Sequence, residues 1–160
     1  MIDASHSDLG DTAIRVRKFA SRDIPQIRAI ARESPQAADW AEESYLAIER
    51  ERQFAWVTES GDTIFGFLIA RKVAADEAEI LNLAFAPSRR RAGYATSLLQ
   101  ACLSEFSRLR IQRVFLEVRE SNLPAISFYE KQNFVRTGRR PGYYQNPSEA
   151  AVLLMRELTG

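Results

Sequence analysis

The run Glu79-Ile80-Leu81-Asn82-Leu83-Ala84-Phe85-Ala86-Pro87 is apolar at most of its positions. Such a run reads as a strand covered on both faces, from about Ala78 to Ala86, and Pro87 ends it. Directly after it comes Arg89-Arg90-Arg91-Ala92-Gly93-Tyr94-Ala95, then a stripe of Ala95, Leu98, Leu99, Cys102, Leu103 and Phe106 at helical spacing. A buried strand thus turns through a basic, glycine-containing loop into an amphipathic helix. Backbone N–H groups and the positive end of the helix dipole converge on that loop, which is the arrangement that binds phosphate groups. Gly93 would let the backbone approach an anion closely, small Ala95 would let the helix pack near it, and the arginines would screen further charge. On spacing alone the pattern is weak, and a solvated, basic helix start is the plainer reading. No Gly-Lys-Ser/Thr follows it, and the three-glycine spacing of a dinucleotide fingerprint is missing.

Upstream, Ile14 to Phe19 alternates as a short strand, and Asp23 with Pro25 starts a helix carrying Ile24, Ile27 and Ile30 to about Arg32. A second helix is expected over 41–52. Strands follow at Phe54 to Thr58 and Thr63 to Ala70, joined by the turn composition Glu59-Ser60-Gly61-Asp62. Downstream, Val114 to Val118 is a strand, Ala125 to Lys131 a helix, and Phe134 to Thr137 and Ala151 to Glu157 are closing strands. This order predicts an α/β domain of the α+β type, a mixed sheet with helices on its faces.

The 160 residues suit one domain. Residues 1–12 are polar and read as a disordered leader or vector remnant, which leaves 13–160 as the folded unit. Twenty-two basic against twenty-one acidic side chains give a formal charge of +1, without the positive field that non-specific nucleic-acid binding needs. No apolar stretch approaches the roughly 20 residues that span a bilayer. The expectation is therefore a cytoplasmic protein with no direct nucleic-acid or membrane partner. One cysteine, Cys102, and one histidine, His6 in the polar leader, exclude an internal disulfide and the common zinc motifs. They also leave no imidazole in the folded part for a Ser-His or Cys-His hydrolase. Chemistry must come from carboxylates, hydroxyls, backbone amides or a cofactor.

Glu117 interrupts the apolar alternation of Leu116-Glu117-Val118, where a carboxylate needs either a partner or a cleft to face. Asn122 after Ser121 is a good helix N-cap, and Tyr129 on the following helix reads as either a core aromatic or a proton donor.

Taken in order, these segments resemble the GNAT superfamily of acetyl-CoA-dependent N-acetyltransferases, from about Ile14 to Leu158. Within it the chain looks most like the RimI-type ribosomal-protein-alanine N-acetyltransferases. The resemblance rests on Glu79 to Pro87, the Arg90-x-x-Gly93-x-Ala95 loop, Leu116-Glu117-Val118-Arg119-x-Ser121-Asn122, Ala125-Ile126-x-x-Tyr129-Glu130-x-x-Asn133-Phe134, and Tyr143-Tyr144. Three positions depart from the pattern. Asn133 replaces the usual glycine and should still adopt the left-handed turn. Asp39-Trp40-Ala41 replaces Pro-Trp-Ser/Thr, and the acidic signature near Glu149-Ala150-Ala151 is degraded. The last two fall where an acceptor would be gripped.

The resemblance implies a central, mostly antiparallel sheet whose fourth and fifth strands splay apart. It implies acetyl-CoA as cofactor, with its pantetheine arm along Leu83, Ala84 and Phe85 and its pyrophosphate on Arg90, Arg91, Ala92, Gly93, Tyr94, Ala95 and Thr96. Asn122 would bond the cofactor near the pantetheine arm. Glu117 is the implied general base and Tyr129 the implied acid, with Trp40, Tyr143 and Tyr144 around the acceptor. An α-amine with a pKa near 8 needs about 1.4 kcal/mol to become neutral at pH 7, against roughly 4.6 kcal/mol for a lysine. A single carboxylate therefore suits a protein N-terminus, with a ribosomal protein as the implied partner. A small amine such as a polyamine or aminoglycoside is the rival acceptor, and a non-catalytic acyl-CoA-binding domain the rival class.

Overall fold

A computed structural model of the chain describes residues 13–37, 40–51, 53–90 and 93–158. The expected leader, residues 1–12, and two positions of the basic loop, Arg91 and Ala92, lie outside the described residues. The elements are β1 (Ile14–Lys18), α1 (Ile24–Arg32), α2 (Glu42–Arg50), β2 (Phe54–Ser60), β3 (Thr63–Ala74), β4 (Glu77–Phe85), α3 (Tyr94–Arg108), β5 (Arg113–Arg119), α4 (Leu123–Lys131), β6 (Val135–Tyr144) and β7 (Glu149–Glu157). They build one seven-stranded sheet in the order β1-β2-β3-β4-β5-β7-β6. Every neighbouring pair is antiparallel except β4 and β5, because α3 carries the chain across one face before β5 is laid down.

Each face of the sheet has its own core. Ile24, Ile27 and Ile30 of α1, with Tyr45 and Ile48 of α2, cover Val57, Phe67 and Ile69. On the opposite face Leu98, Leu99, Cys102 and Phe106 of α3, with Ile126 and Tyr129 of α4, cover Leu68, Ala70, Leu116 and Leu154. The helical spacing read from the sequence is therefore the spacing that buries these side chains. Asn133 takes φ 66°, and the amide of Phe134 behind it returns to the carbonyl of Tyr129 at 3.0 Å. This closes α4 in the left-handed turn expected of an asparagine.

Strand limits differ from the sequence expectation where pairing outlasts the apolar pattern. β2 runs to Ser60, so the turn is Gly61-Asp62 alone, with Gly61 at φ 59°. β3 and β4 stay paired out to Ala74 and Glu77 through exposed residues. β6 is an edge strand of ten residues, exposed along almost its whole length. Its arginines, Gly138 and Pro141 carry no period-2 apolar signal, which hid all but its beginning.

Glu59, expected in the turn, is buried for a reason that lies far away in sequence. Arg17 on β1 donates to both carboxylate oxygens of Asp23, at 2.8 Å each, and to Glu59 at 2.8 Å, while Arg15 reaches Glu59 at 2.7 Å. The amide of Ala20 adds a bond to Asp23 at 2.8 Å. The cluster ties the edge strand to β2 and to the start of α1. Burial opposes charge on Asp23 and Glu59, but the arginine hydrogen bonds outweigh it and hold both carboxyls below their ordinary values of 3.8 and 4.5. Their contribution to stability is thus complete above that range and is lost as the pH falls through it to the lowered folded-state values. Arg17→Met removes the guanidinium partner of buried Asp23 and one of the two on Glu59, and should cost about 3 kcal/mol or more. The measurement is the urea midpoint at neutral pH, and the variant should also lose less than the parent between pH 5 and 3, roughly the acid window expected for carboxylates.

Candidate active site

β4 and β5 pair at only three positions, Glu77↔Arg113, Ala78↔Val114 and Glu79↔Phe115. Beyond them the strands part, and the gap is the slot around which the site is built. A bulge sits just past the last pair, since Ile69 faces Asn82 while Ala70 faces Ile80, which leaves Leu81 as the extra residue. It reverses the alternation. Ala78 and Ile80 lie in the α3–α4 core, and so do Leu83 and Phe85 beyond the bulge, whereas Leu81 and Ala84 join the α1–α2 core. A bulge also bends its strand, here as the partner strand is lost.

The direction of the β4 peptide groups follows from the ladder. The amide of Ala86 bonds the carbonyl of Phe65 at 2.8 Å, so the Phe67↔Ala84 pair also exchanges bonds, and Leu83 and Phe85 direct their N–H and C=O away from β3 into the slot. Two of the three expected backbone positions, Leu83 and Phe85, thus face the gap. Ala84 does not, because its peptide groups belong to the β3 ladder. Gly66 stands opposite Phe85 because the ring lies on its backbone: a Cβ there would come within 2.3 Å of Phe85 Cε1.

At the end of β4, Arg90 and Arg89 make contacts within the protein. Arg90 Nε donates to the carbonyl of Phe85 at 3.1 Å, and its Nη2 to Ser34 Oγ at 3.0 Å and the Glu33 carbonyl at 3.4 Å. The Arg90 side chain is therefore committed to joining β4 to the end of α1. Arg89 lies over the Phe65 ring, 4.9 Å from its centre. The backbone that opens α3 follows directly on these side chains. Gly93 is the N-cap at φ 81°, with open space where a Cβ would stand, and Tyr94, Ala95 and Thr96 form the first turn, whose amides lack partners within the helix.

Glu117 and Tyr129 lie on opposite sides of β5. Val114, Leu116 and Val118 point into the α3–α4 core that holds Tyr129, so Glu117, between them in the alternation, faces the other way. There it meets the β6–β7 hairpin: Arg140 Nη1 is 3.3 Å from Glu117 Oε1. The Tyr143 hydroxyl faces the same carboxylate, and its interaction with Glu117, followed by burial, raises the Tyr143 pKa. Tyr144 is pushed up to about 12 by burial first and the Glu117 charge second. Its ring lies 4.3 Å under the Arg119 guanidinium and 5.0 Å from Tyr143, edge-on. Tyr129 is packed against Phe128 and Phe134 at 5.1 and 5.3 Å. Burial raises its pKa far above the ordinary value, with Cys102 a smaller cause, so the hydroxyl keeps its proton.

Two expected residues have plain structural roles. Asn122 Oδ1 caps α4 by accepting from the Ala125 amide at 3.3 Å. Trp40 packs on Tyr45 at 5.5 Å within the α1–α2 core. Sequence reasoning missed Arg140. Arg140 and Tyr143 are three apart, a spacing that puts side chains on opposite faces of a regular strand. β6 is irregular between Arg140 and Tyr144, with Gly142 at φ 62°, and this brings the two together. The Pro141-Gly142 dipeptide is the available signal.

Comparison with known proteins agrees with this geometry. The profile of the Acetyltransferase (GNAT) family matches residues 21–134. The [Ribosomal protein bS18]-alanine N-acetyltransferase of Salmonella typhimurium is 30% identical over 140 residues, 86% of this chain and 93% of that protein. The crystal structure of the ribosomal-protein-S18-alanine N-acetyltransferase from Escherichia coli superimposes with a TM-score of 0.81 at 25% identity, covering 92% of this chain and 97% of that one. Ard1 from Thermoplasma volcanium gives 0.86 at 32%, covering 92% and 99%. The fold and these matches define an acyltransferase acting on nitrogen. The chain belongs to the GNAT family and is an acetyl-CoA-dependent N-acetyltransferase.

Gly93→Ala tests the backbone reading of the loop. Nothing crowds the new methyl, but a left-handed backbone penalises it by about 1–2 kcal/mol. The urea midpoint should fall accordingly, and acetyl-CoA affinity, measured by calorimetry, should fall with it as the first turn of α3 shifts. Unchanged affinity in a destabilised protein would separate the turn from the cofactor.

Proposed function

We propose that this enzyme acetylates the N-terminal α-amine of a protein in the cytoplasm, with an alanine-initiated ribosomal protein as its acceptor class. The observation that carries the reading is the placement of Glu117: a carboxyl side chain beyond the last β4–β5 pair, ringed by Tyr143, Tyr144 and Arg140. Likeness to the alanine N-acetyltransferases supports the same acceptor class.

The residues present suit acetyl-CoA. Gly93 and the first turn of α3 offer a pyrophosphate amides that have no partner inside the helix, and the outward peptide groups of Leu83 with the Phe85 amide offer a strand edge to an amide-bearing arm. Acetyl-CoA supplies the acetyl group in activated form as a thioester. The chain's own residues do the rest. The Glu117 carboxylate accepts a proton from the incoming ammonium, a task of about 1.4 kcal/mol for an α-amine near pKa 8. Tyr129, kept protonated by its apolar surroundings, holds a proton at Oη on the far side of β5 for the leaving group. Apolar packing of α4 and Phe134 around it excludes water. Tyr143 and Tyr144 wall the acceptor entrance with rings and present hydroxyls to a peptide backbone.

The test is thiol release from acetyl-CoA with short peptides whose N-termini are free or blocked, beside polyamines and aminoglycosides. Turnover of an alanine-initiated peptide that disappears on blocking is the expected result. Turnover of small amines alone would replace the acceptor and leave the chemistry standing. Glu117→Gln should lower kcat by roughly 100-fold or more with acetyl-CoA affinity little changed. A variant that keeps most of its rate would remove Glu117 from the role of base.

A further inference from the structure

The arginines of the β6–β7 hairpin divide their charge in a way that singles out one of them. Arg139 pairs with Glu120 through two bonds of 2.8 and 2.9 Å, and Arg136 with Glu130 at 3.1 Å. These contacts fasten the hairpin to the turn before α4 and to α4 itself. Arg140 fastens nothing of that kind. Its partner is Glu117, the carboxylate at the slot, and with the arginine side chain 58% exposed the pair adds little to stability.

Its geometry is that of a clamp. The guanidinium stands 3.3 Å from Glu117 Oε1 and 5.6 Å from the centre of the Tyr143 ring, whose hydroxyl faces the Glu117 carboxylate. Arg140 thus contacts both side chains. A carboxylate offers about four lone-pair directions, so two anchors leave the acceptor nitrogen a free one. The remaining charged or titratable neighbours are Tyr144, on the next position of β6, and Glu79 across the slot, which is held by Arg71 at 2.9 Å.

We propose that Arg140 is a positioning residue for the transfer reaction: it fixes the orientation of the Glu117 carboxylate at the slot, with Tyr143 as the second anchor. The proposal rests on Glu117 being the proton acceptor. The opposed picture has the guanidinium sitting in the seat of the substrate ammonium and leaving when the acceptor binds. Contact with the Tyr143 ring favours the anchor, because that contact holds the guanidinium in place independently of Glu117.

Kinetics separate the two. The full chain, with acetyl-CoA and an alanine-initiated peptide bearing a free N-terminus, is compared with Arg140→Met, Arg140→Lys, Tyr143→Phe, Glu117→Gln and the Arg140→Met/Glu117→Gln double variant. Thermal unfolding checks that each is folded. Arg140→Met should lower kcat by roughly 10- to 100-fold, the range for a misplaced catalytic group, with acceptor KM and acetyl-CoA affinity within about 3-fold of the parent. Arg140→Lys should recover part of the loss, and Tyr143→Phe should lose less than Arg140→Met. The double variant should be no slower than Glu117→Gln, since an anchor has no role without its carboxylate. A fall in acceptor KM at unchanged kcat in Arg140→Met would overturn the proposal in favour of a displaced competitor. An unimpaired Arg140→Met beside an inactive Glu117→Gln would overturn the positioning role alone. A fully active Glu117→Gln would overturn the reading of Glu117 and the proposal with it.

Discussion

The site depends on a parallel strand pairing that ends after three residue pairs. Had β4 and β5 stayed zipped, the peptide groups of Leu83 and Phe85 would be consumed in the sheet and no edge would remain for an extended ligand. Several features make the opening affordable. β5 has β7 on its other side along its full length, β4 is paired along β3, and the two helix layers cover the sheet on both faces. The bulge at Leu81 bends β4 away while returning Leu83 and Phe85 to the same core as Ala78 and Ile80. The Phe85 ring then seats on Gly66, so the free end of the strand is fixed by packing where hydrogen bonds to β5 are absent.

The same division gives the proposed base and the proposed acid opposite surroundings. Glu117 stands on the face of β5 turned toward an exposed hairpin rich in arginine. Tyr129 lies in an apolar core on the other face, where burial disfavours the phenolate. The gap between β4 and β5 opens beside the strand that separates them. A substrate reaching through it would meet both groups, while the strand keeps their surroundings apart.

What the sequence revealed and what it concealed follow one physical line. Amphipathic spacing exposed α1 and α3, and a lone carboxylate in the Leu116-Glu117-Val118 alternation exposed Glu117, because each is a local pattern. The left-handed turn at Asn133 was legible for the same reason. Concealed were features made by pairing between distant residues. Glu59 is buried because Arg17, 42 positions away, binds it. β6 extends to Tyr144 because β7 supplies its hydrogen bonds, against a sequence with no strand period. Arg140 reaches Glu117 only through the irregular backbone around Gly142, which breaks the alternation that sequence reading relies on. Arg90 was legible as part of the loop but not in its task, since its partners Glu33 and Ser34 come from the end of another helix.

That last case bears on how β4 and α1 are held together. A guanidinium bonded to two carbonyls and a buried hydroxyl is already saturated on three of its five donors, and withdrawing it would leave the Phe85 carbonyl and Ser34 with unmet polar groups. Ser34 in turn donates to Ile30 at 2.8 Å, so the chain of bonds runs from the C-terminal turn of α1, through Arg90, to the last residue of β4. The slot wall and the first helix are thus joined at the point where the loop into α3 begins, and Arg90 sets the position of the strand end from which that loop departs.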